Sequence, residues 1–210
     1  MSPRTALLLP LVLGLAATPA LALAGGSGGM ADVAVAAEAL APNRYVWNDA
    51  STVAPVAAAP VAIVVSIPDQ RAYVYRGTAL VAASTVSTGR DGNETPVGAF
   101  TILQKEEVHH SNLYDDAAMP YMQRLTWDGV ALHAGKNPGF PDSHGCIRLP
   151  AAFAKKLFAA TKLGGTVVVT DEVIDPASYG EAIPSTVADD AAATAKANRV
   201  ASDIATNFDQ

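Results

Sequence analysis

The chain is poor in cysteine, in aromatic residues and in charge. Among 210 residues there is one cysteine, 6% are aromatic and 16% are charged. A single cysteine excludes an internal disulfide framework. The few large side chains, diluted by much alanine, allow one core of moderate size. Basic runs interleaved with aromatics are absent, which argues against a nucleic-acid surface. After the first two dozen residues no apolar run is long enough to span a membrane. Net charge is -6, and acidic residues gather toward the C-terminus, from Asp171 and Glu172 through Asp189, Asp190, Asp203 and Asp209.

The N-terminus, MSPRTALLLPLVLGLAATPALALAGG, has a short positive start at Arg4 and an apolar run from Leu7 to Leu15. Small residues follow, with Ala22-Leu23-Ala24 as an A-x-A cleavage pattern. This layout predicts a secretory signal peptide over 1–24, cut after Ala22 or Ala24, and an exported protein in the periplasm or cell wall. No transmembrane anchor is expected once the signal is removed. Residues 25–60 are rich in glycine, alanine and proline and read as a linker, in which the aromatic block Arg44–Asn48 is a candidate to pack on the domain. The segment 172–210 reads as an acidic, alanine-rich tail.

Between these lies a region of strand signals. Val61 to Ile67 is a β-branched run that ends at Pro68-Asp69. Gln70 to Arg76 alternates, Gly77-Thr78 turns the chain, and Ala79 to Ser87 follows; together they predict an antiparallel meander. Further strands are predicted near Ala99–Leu103, Gly129–His133 and Thr166–Asp171. One helix is predicted after Pro150, with Phe153, Leu157 and Phe158 on one face and Gly164-Gly165 as its stop.

The lone cysteine, Cys146, stands inside SHGCIRLP, Ser143 to Pro150. A thiol becomes a nucleophile when a base takes its proton. Two histidines are within reach: His144, two residues before it, and His133, at the end of the GVALH strand across a glycine- and proline-rich loop. Gly145 allows close approach or a positive φ, and backbone N–H groups at such a turn suit an oxyanion. Arg148 suits a carboxylate as a fork. Zinc is the rival chemistry, with His133, His144 and Cys146 as ligands and His109 and His110 in reserve. Against it stand the lack of HExxH and of paired cysteines. The His109-His110 pair is read as part of a polar loop.

The stretch ALHAGKNPGFPDSHGCIRL, Ala131 to Leu149, resembles the active-site signature of the bacterial L,D-transpeptidases. STGRDGNETPVGAFTI, Ser87 to Ile102, with its Thr-Pro-x-Gly, is similar to a second block of that family, and MPYMQRLTWDGVALH, Met119 to His133, to a third. The resemblance spans 61–171, about half the chain. It implies a mainly β domain, a β-sandwich of the L,D-transpeptidase type with one short helix after the cysteine. It implies Cys146 as nucleophile and His133 as proton acceptor, with the backbone carbonyl of Ala134 as third member. Ala134 stands where many members carry glycine. Backbone N–H groups around His144, Gly145 and Cys146 would form the oxyanion hole, with His144 and Ser143 shaping the loop. Arg148 would steady the site or meet a substrate carboxylate, and Met119, Pro120 and Tyr121 would line the substrate groove. No metal and no cofactor are called for.

The implied substrate is the stem peptide of peptidoglycan. Cys146 would release the terminal D-alanine and pass the acyl group to an amine, either a second stem peptide in a 3→3 cross-link or a lipoprotein lysine. A hydrolytic carboxypeptidase or endopeptidase with the same nucleophile, a non-catalytic wall-binding module and a sortase-like enzyme are the alternatives. The sortase pattern has its histidine much farther upstream.

Overall fold

In a computed structural model, residues 30–48, 56–111 and 116–183 are described. The predicted signal peptide, and most of the predicted tail, lie outside them. Two sheets carry the fold. The larger has strand order β1-β4-β3-β2-β10-β5, made of β1 (Tyr45–Trp47), β2 (Val61–Ser66), β3 (Arg71–Arg76), β4 (Ala79–Thr85), β5 (Gly98–Thr101) and β10 (Thr166–Thr170). The smaller has order β6-β7-β8-β9, made of β6 (Gln104–Glu106), β7 (Met122–Arg124), β8 (Ala131–Ala134) and β9 (Ile147–Leu149). The strands β2, β3 and β4 form an antiparallel meander. Parallel pairing occurs at β10 with β2 and at β8 with β9. Helix α2 (Ala151–Ala160) leads from β9 toward β10.

Strand β2, VAIVVS, is apolar at nearly every position, and five of its six residues are buried. Such a run needs cover on both faces of its sheet. On one face Ile63, Val65, Ala72 and Val74 join Leu132, Ile147 and Leu149 of the smaller sheet and Phe153 and Leu157 of α2. On the other, Val64, Tyr73, Tyr75 and Ala83 pack against Val33, Ala34 and Ala37 of helix α1 (Met30–Glu38) and against Ile174.

That second cover corrects the linker expected over 25–60. Residues 30–48 belong to the packed domain: α1 buries an apolar stripe, and β1 pairs with β4. Arg71 closes the C-terminal end of α1, with Nε donating to Ala37 O at 2.8 Å and Nη2 to Leu40 O at 3.2 Å. A cation there satisfies carbonyls that the helix leaves open and complements its dipole. The start of the predicted tail is also folded. Tyr75 donates its hydroxyl hydrogen to Pro176 O at 2.9 Å, and α3 (Tyr179–Ala182) follows.

Candidate active site

The smaller sheet separates core from chemistry by simple alternation. Leu132, Ala134, Ile147 and Leu149 point into the core. Ala131, His133 and Arg148 occupy the opposite face, and the register pairs His133 with Arg148 and Arg124 with Ala131. Cys146 immediately precedes β9 and lies two residues before Arg148, so it faces the same side as Arg148 and His133. Continued by one position, the parallel register sets Cys146 beside Ala131. His133 is then two positions along the neighbouring strand, on the same face.

Cys146, His133, Ser143, His144 and Arg148 line one cavity of about 600 Å³, together with Gly135, Lys136, Ser111 and the segment Ala117–Met119. A second cavity, of about 690 Å³, lies between residues such as Pro60, Arg76, Thr78, Lys162 and Gly165 and holds neither cysteine nor histidine. The chemistry is therefore placed in the first.

Cys146 is a free thiol, half-buried against Met119, Met122 and Ala131. Its sulfur donates to Gly129 O at 3.4 Å. Burial pushes its pKa up; the Ala131 N–H and the charges of Arg148 and Arg124 work the other way. His133 is buried, and its pKa is pushed down to about 4, chiefly by burial, with the charges of Arg148 and His109 adding to the effect and the Ala134 bond opposing it. Its Nδ1 lies 2.8 Å from Ala134 O. A carbonyl only accepts, so Nδ1 carries the hydrogen and Nε2 keeps a lone pair. The resting pair is a neutral thiol and a neutral base, and the proton has to move as substrate arrives.

A testable consequence concerns stability. Folded, His133 resists protonation down to about 4, against an ordinary 6.5. Below 6.5 the unfolded chain binds this proton more readily, so the group's contribution is full above that value and is lost as pH falls toward 4. Thermal stability is expected to fall more steeply over this window in the parent than in His133→Gln. Parallel pH curves for the two would refute the assignment.

The loop before Cys146 is held from several sides. Gly145 has φ +106° and takes the left-handed conformation that favours glycine. Its N–H donates to Ser143 Oγ at 3.1 Å, and Ser143 Oγ–H donates to Cys146 O at 2.5 Å. The Gly145 N–H is thus engaged inside the turn, which removes it from the expected set of oxyanion donors. Ser143 is fully buried, with its N–H on Thr88 O. His144 Nε2 lies 2.8 Å from Arg90 Nη2. Arginine only donates, so His144 Nε2 is the acceptor of this bond.

Thr95, in the Thr-Pro-x-Gly block, had no role in the sequence reading. Its hydroxyl donates to Gly145 O at 2.9 Å and accepts from Gly89 N at 2.8 Å. Gly89 has no room for a side chain, since a Cβ there would lie 1.9 Å from Asn93 O. Thr95→Val would strand a carbonyl and an N–H, at about 1–3 kcal/mol for each buried group left unpaired. The expected result is a lower melting temperature together with slower acylation of Cys146. An unchanged acylation rate would show that Gly145 holds its place without Thr95.

The predicted substrate contacts divide. Met119 lines the cavity. Pro120 and Tyr121 are not among its described lining residues. The Pro120 carbonyl receives the Ala134 N–H at 2.9 Å, while the Tyr121 ring packs on Phe158 of α2 with centroids 5.9 Å apart. Arg148 lines the cavity, but Nη1 is tied to Asp142 through its O at 3.2 Å and its Oδ2 at 3.5 Å. His109 Nδ1 pairs with Glu106 Oε2 at 2.6 Å, and His110 Nδ1 with Asp116 O at 2.9 Å. Among the described residues no group of three or more His, Cys, Asp and Glu side chains could hold a metal ion.

With this geometry established, comparison with known proteins is informative. The family model of the YkuD L,D-transpeptidase catalytic domain matches residues 60–169. The chain belongs to this L,D-transpeptidase family. An L,D-transpeptidase from Mycobacterium smegmatis is 26% identical, with a TM-score of 0.50 over 53% of this chain and 59% of that one. One from Mycobacterium tuberculosis H37Rv is 25% identical, with a TM-score of 0.50 over 52% of this chain and 57% of that one. The match thus spans less than two thirds of either structure. No curated protein matches the chain in sequence. The family is typically associated with the cell wall, and no described helix is long and apolar enough to cross a membrane.

Proposed function

We propose that the protein is an exported cysteine acyltransferase that works on peptidoglycan stem peptides through a thioester on Cys146. The observation that carries this reading is the shared cavity of Cys146 and His133, with His133 Nδ1 fixed on Ala134 O. That bond turns Nε2 into the basic nitrogen. Family membership supplies the substrate class, and the signal-like N-terminus supports export to the compartment where peptidoglycan lies.

In the proposed cycle, Cys146 Sγ attacks the carbonyl of the third residue, a diaminopimelate L-centre, and its proton passes to His133 Nε2. The carbonyl π-electrons move onto oxygen, where the Cys146 N–H is the natural donor. The tetrahedral intermediate collapses, the C–N bond breaks, and the His133 proton goes to the departing D-alanine nitrogen. An incoming amine then gives a proton to His133 and attacks the thioester, and Cys146 leaves as the thiol. With a diaminopimelate side chain as acceptor the product is a 3→3 cross-link; with a lipoprotein lysine it is an anchored lipoprotein. Water would give trimming only.

Intact mass of the protein after incubation with a stem tetrapeptide tests this. The expected adduct equals the donor minus D-alanine and maps to Cys146. Adding an acceptor amine should discharge it into a dimeric peptide. A chain that never gains the adduct would overturn the reading, and discharge to tripeptide alone in the presence of amine would make the enzyme a hydrolase.

A further inference from the structure

The catalytic cavity has an uneven charge. Its described lining includes the cations Lys136 and Arg148 and no aspartate or glutamate. One carboxylate serves both cations from just outside the lining: Asp142 Oδ2 lies 3.4 Å from Lys136 Nζ and 3.5 Å from Arg148 Nη1. Among the described residues that line the cavity, these two cations therefore share a single carboxylate. Arg148 is the better held of the two, because Nη1 also donates to Asp142 O at 3.2 Å and only 22% of its side chain is exposed. The Lys136 side chain is 77% exposed and has only the one contact to Asp142, at 3.4 Å. An exposed pair of that kind contributes little, so the ammonium is free to leave Asp142 for a stronger anion.

The backbone sets where that charge stands. Lys136 follows His133 by three residues, at the exit of β8. Between them Gly135 lies against both functional side chains: a Cβ there would sit 3.1 Å from Arg148 Cγ and 3.3 Å from His133 Cε1. Its N–H is bonded to Leu149 O at 3.0 Å. The base and the exposed cation are therefore held on one short stretch, packed tightly at Gly135. His133 itself adds no charge, because it stays neutral in the fold.

We propose that Lys136 is a specificity-determining residue that binds a side-chain carboxylate of the acyl donor, so that donors with this carboxylate free are preferred over the same donors amidated. This rests on the acyltransferase reading given above and adds the identity of the group that selects the donor. Arg148, with its Nη1 on Asp142, takes the steadying role of the two that the sequence allows. Lysine suits the task of following a flexible side chain, being a point charge on a long stem.

The test uses two stem tetrapeptides that differ only in a carboxylate or carboxamide on the third-residue side chain. Acylation of Cys146 is followed by intact mass, and kcat/KM is obtained for each donor. The parent is expected to prefer the free carboxylate by about threefold to tenfold, the range of a partly exposed charged contact. Raising the salt should shrink that preference. In Lys136→Met the ratio should fall toward one, mainly through KM; Lys136→Arg should keep it, and Lys136→Glu should reverse it. A ratio unchanged in Lys136→Met, with both donors still acylating Cys146, overturns the proposal and leaves the acyltransferase reading intact. A parent acylated by neither donor sinks that reading first, and the selectivity with it.

Discussion

Cys146→Ala is expected to release no D-alanine from a stem tetrapeptide and to gain no adduct from a thiol-directed or carbapenem-type acylating agent. The loss should reach about ten-thousandfold or more, because removing a nucleophile eliminates the covalent path itself. The fold should survive. The sulfur packs beside Met119, Met122 and Ala131, and its bond to Gly129 O is long at 3.4 Å. The loop is held elsewhere, by Ser143 Oγ on Cys146 O and by Thr95 Oγ1 on Gly145 O. Neither contact uses the thiol. The decisive comparison sets circular dichroism and melting temperature beside the mass assay. Unfolding of the variant would make loss of activity uninformative, and Cys146→Ser, closer in shape, is then the second variant. Full D-alanine release by a folded Cys146→Ala chain would mean that another group performs the chemistry.

Much of the smaller sheet was legible because its chemistry is local. Cys146, Gly145 and Arg148 stand within a few residues, and a two-residue period alone puts Cys146 and Arg148 on one side. The approach of His133 depends on a parallel pairing of β8 with β9 across a loop. The glycine- and proline-rich loop allowed the two to meet, but nothing in the sequence pointed to a strand pairing or its register. What was hidden is non-local. Strand β9 is only three residues long and β6 is polar, so neither carries a strand signal of its own. Helix α1, MADVAVAAE, is mostly alanine and small residues and looks like linker until something presses on it. The clue was in β2. Its unbroken apolar run required cover on both faces, and one of those covers had to come from outside 61–171. Tyr121 misled for a related reason. It stands two residues after Met119, but a positive φ of 57° there turns the chain, and the ring lands on Phe158.

His133→Ala is expected to lower the rate of Cys146 acylation by about a hundred- to ten-thousandfold, the usual contribution of a positioned acid–base group. His144→Ala should cost less, and by a different route. The two rings are held in opposite senses. Nδ1 of His133 gives its hydrogen to Ala134 O, leaving Nε2 basic. Nε2 of His144 already accepts from Arg90, so its lone pair is occupied, and the side chain ties the loop of Arg90 to the loop of Cys146. The pH dependence separates these roles. A base works only when unprotonated, and His133 stays so down to about 4. Acylation by the parent should therefore hold level as pH falls through 6.5 and drop only near 4. Since burial pushes the Cys146 pKa up, alkylation by a small neutral reagent should rise with pH well into the alkaline range, and in His133→Ala it should follow the thiol alone. His144→Ala should keep the parent's acid limb at a reduced rate. An acid limb that vanishes in His144→Ala and persists in His133→Ala would reverse the assignment of the base.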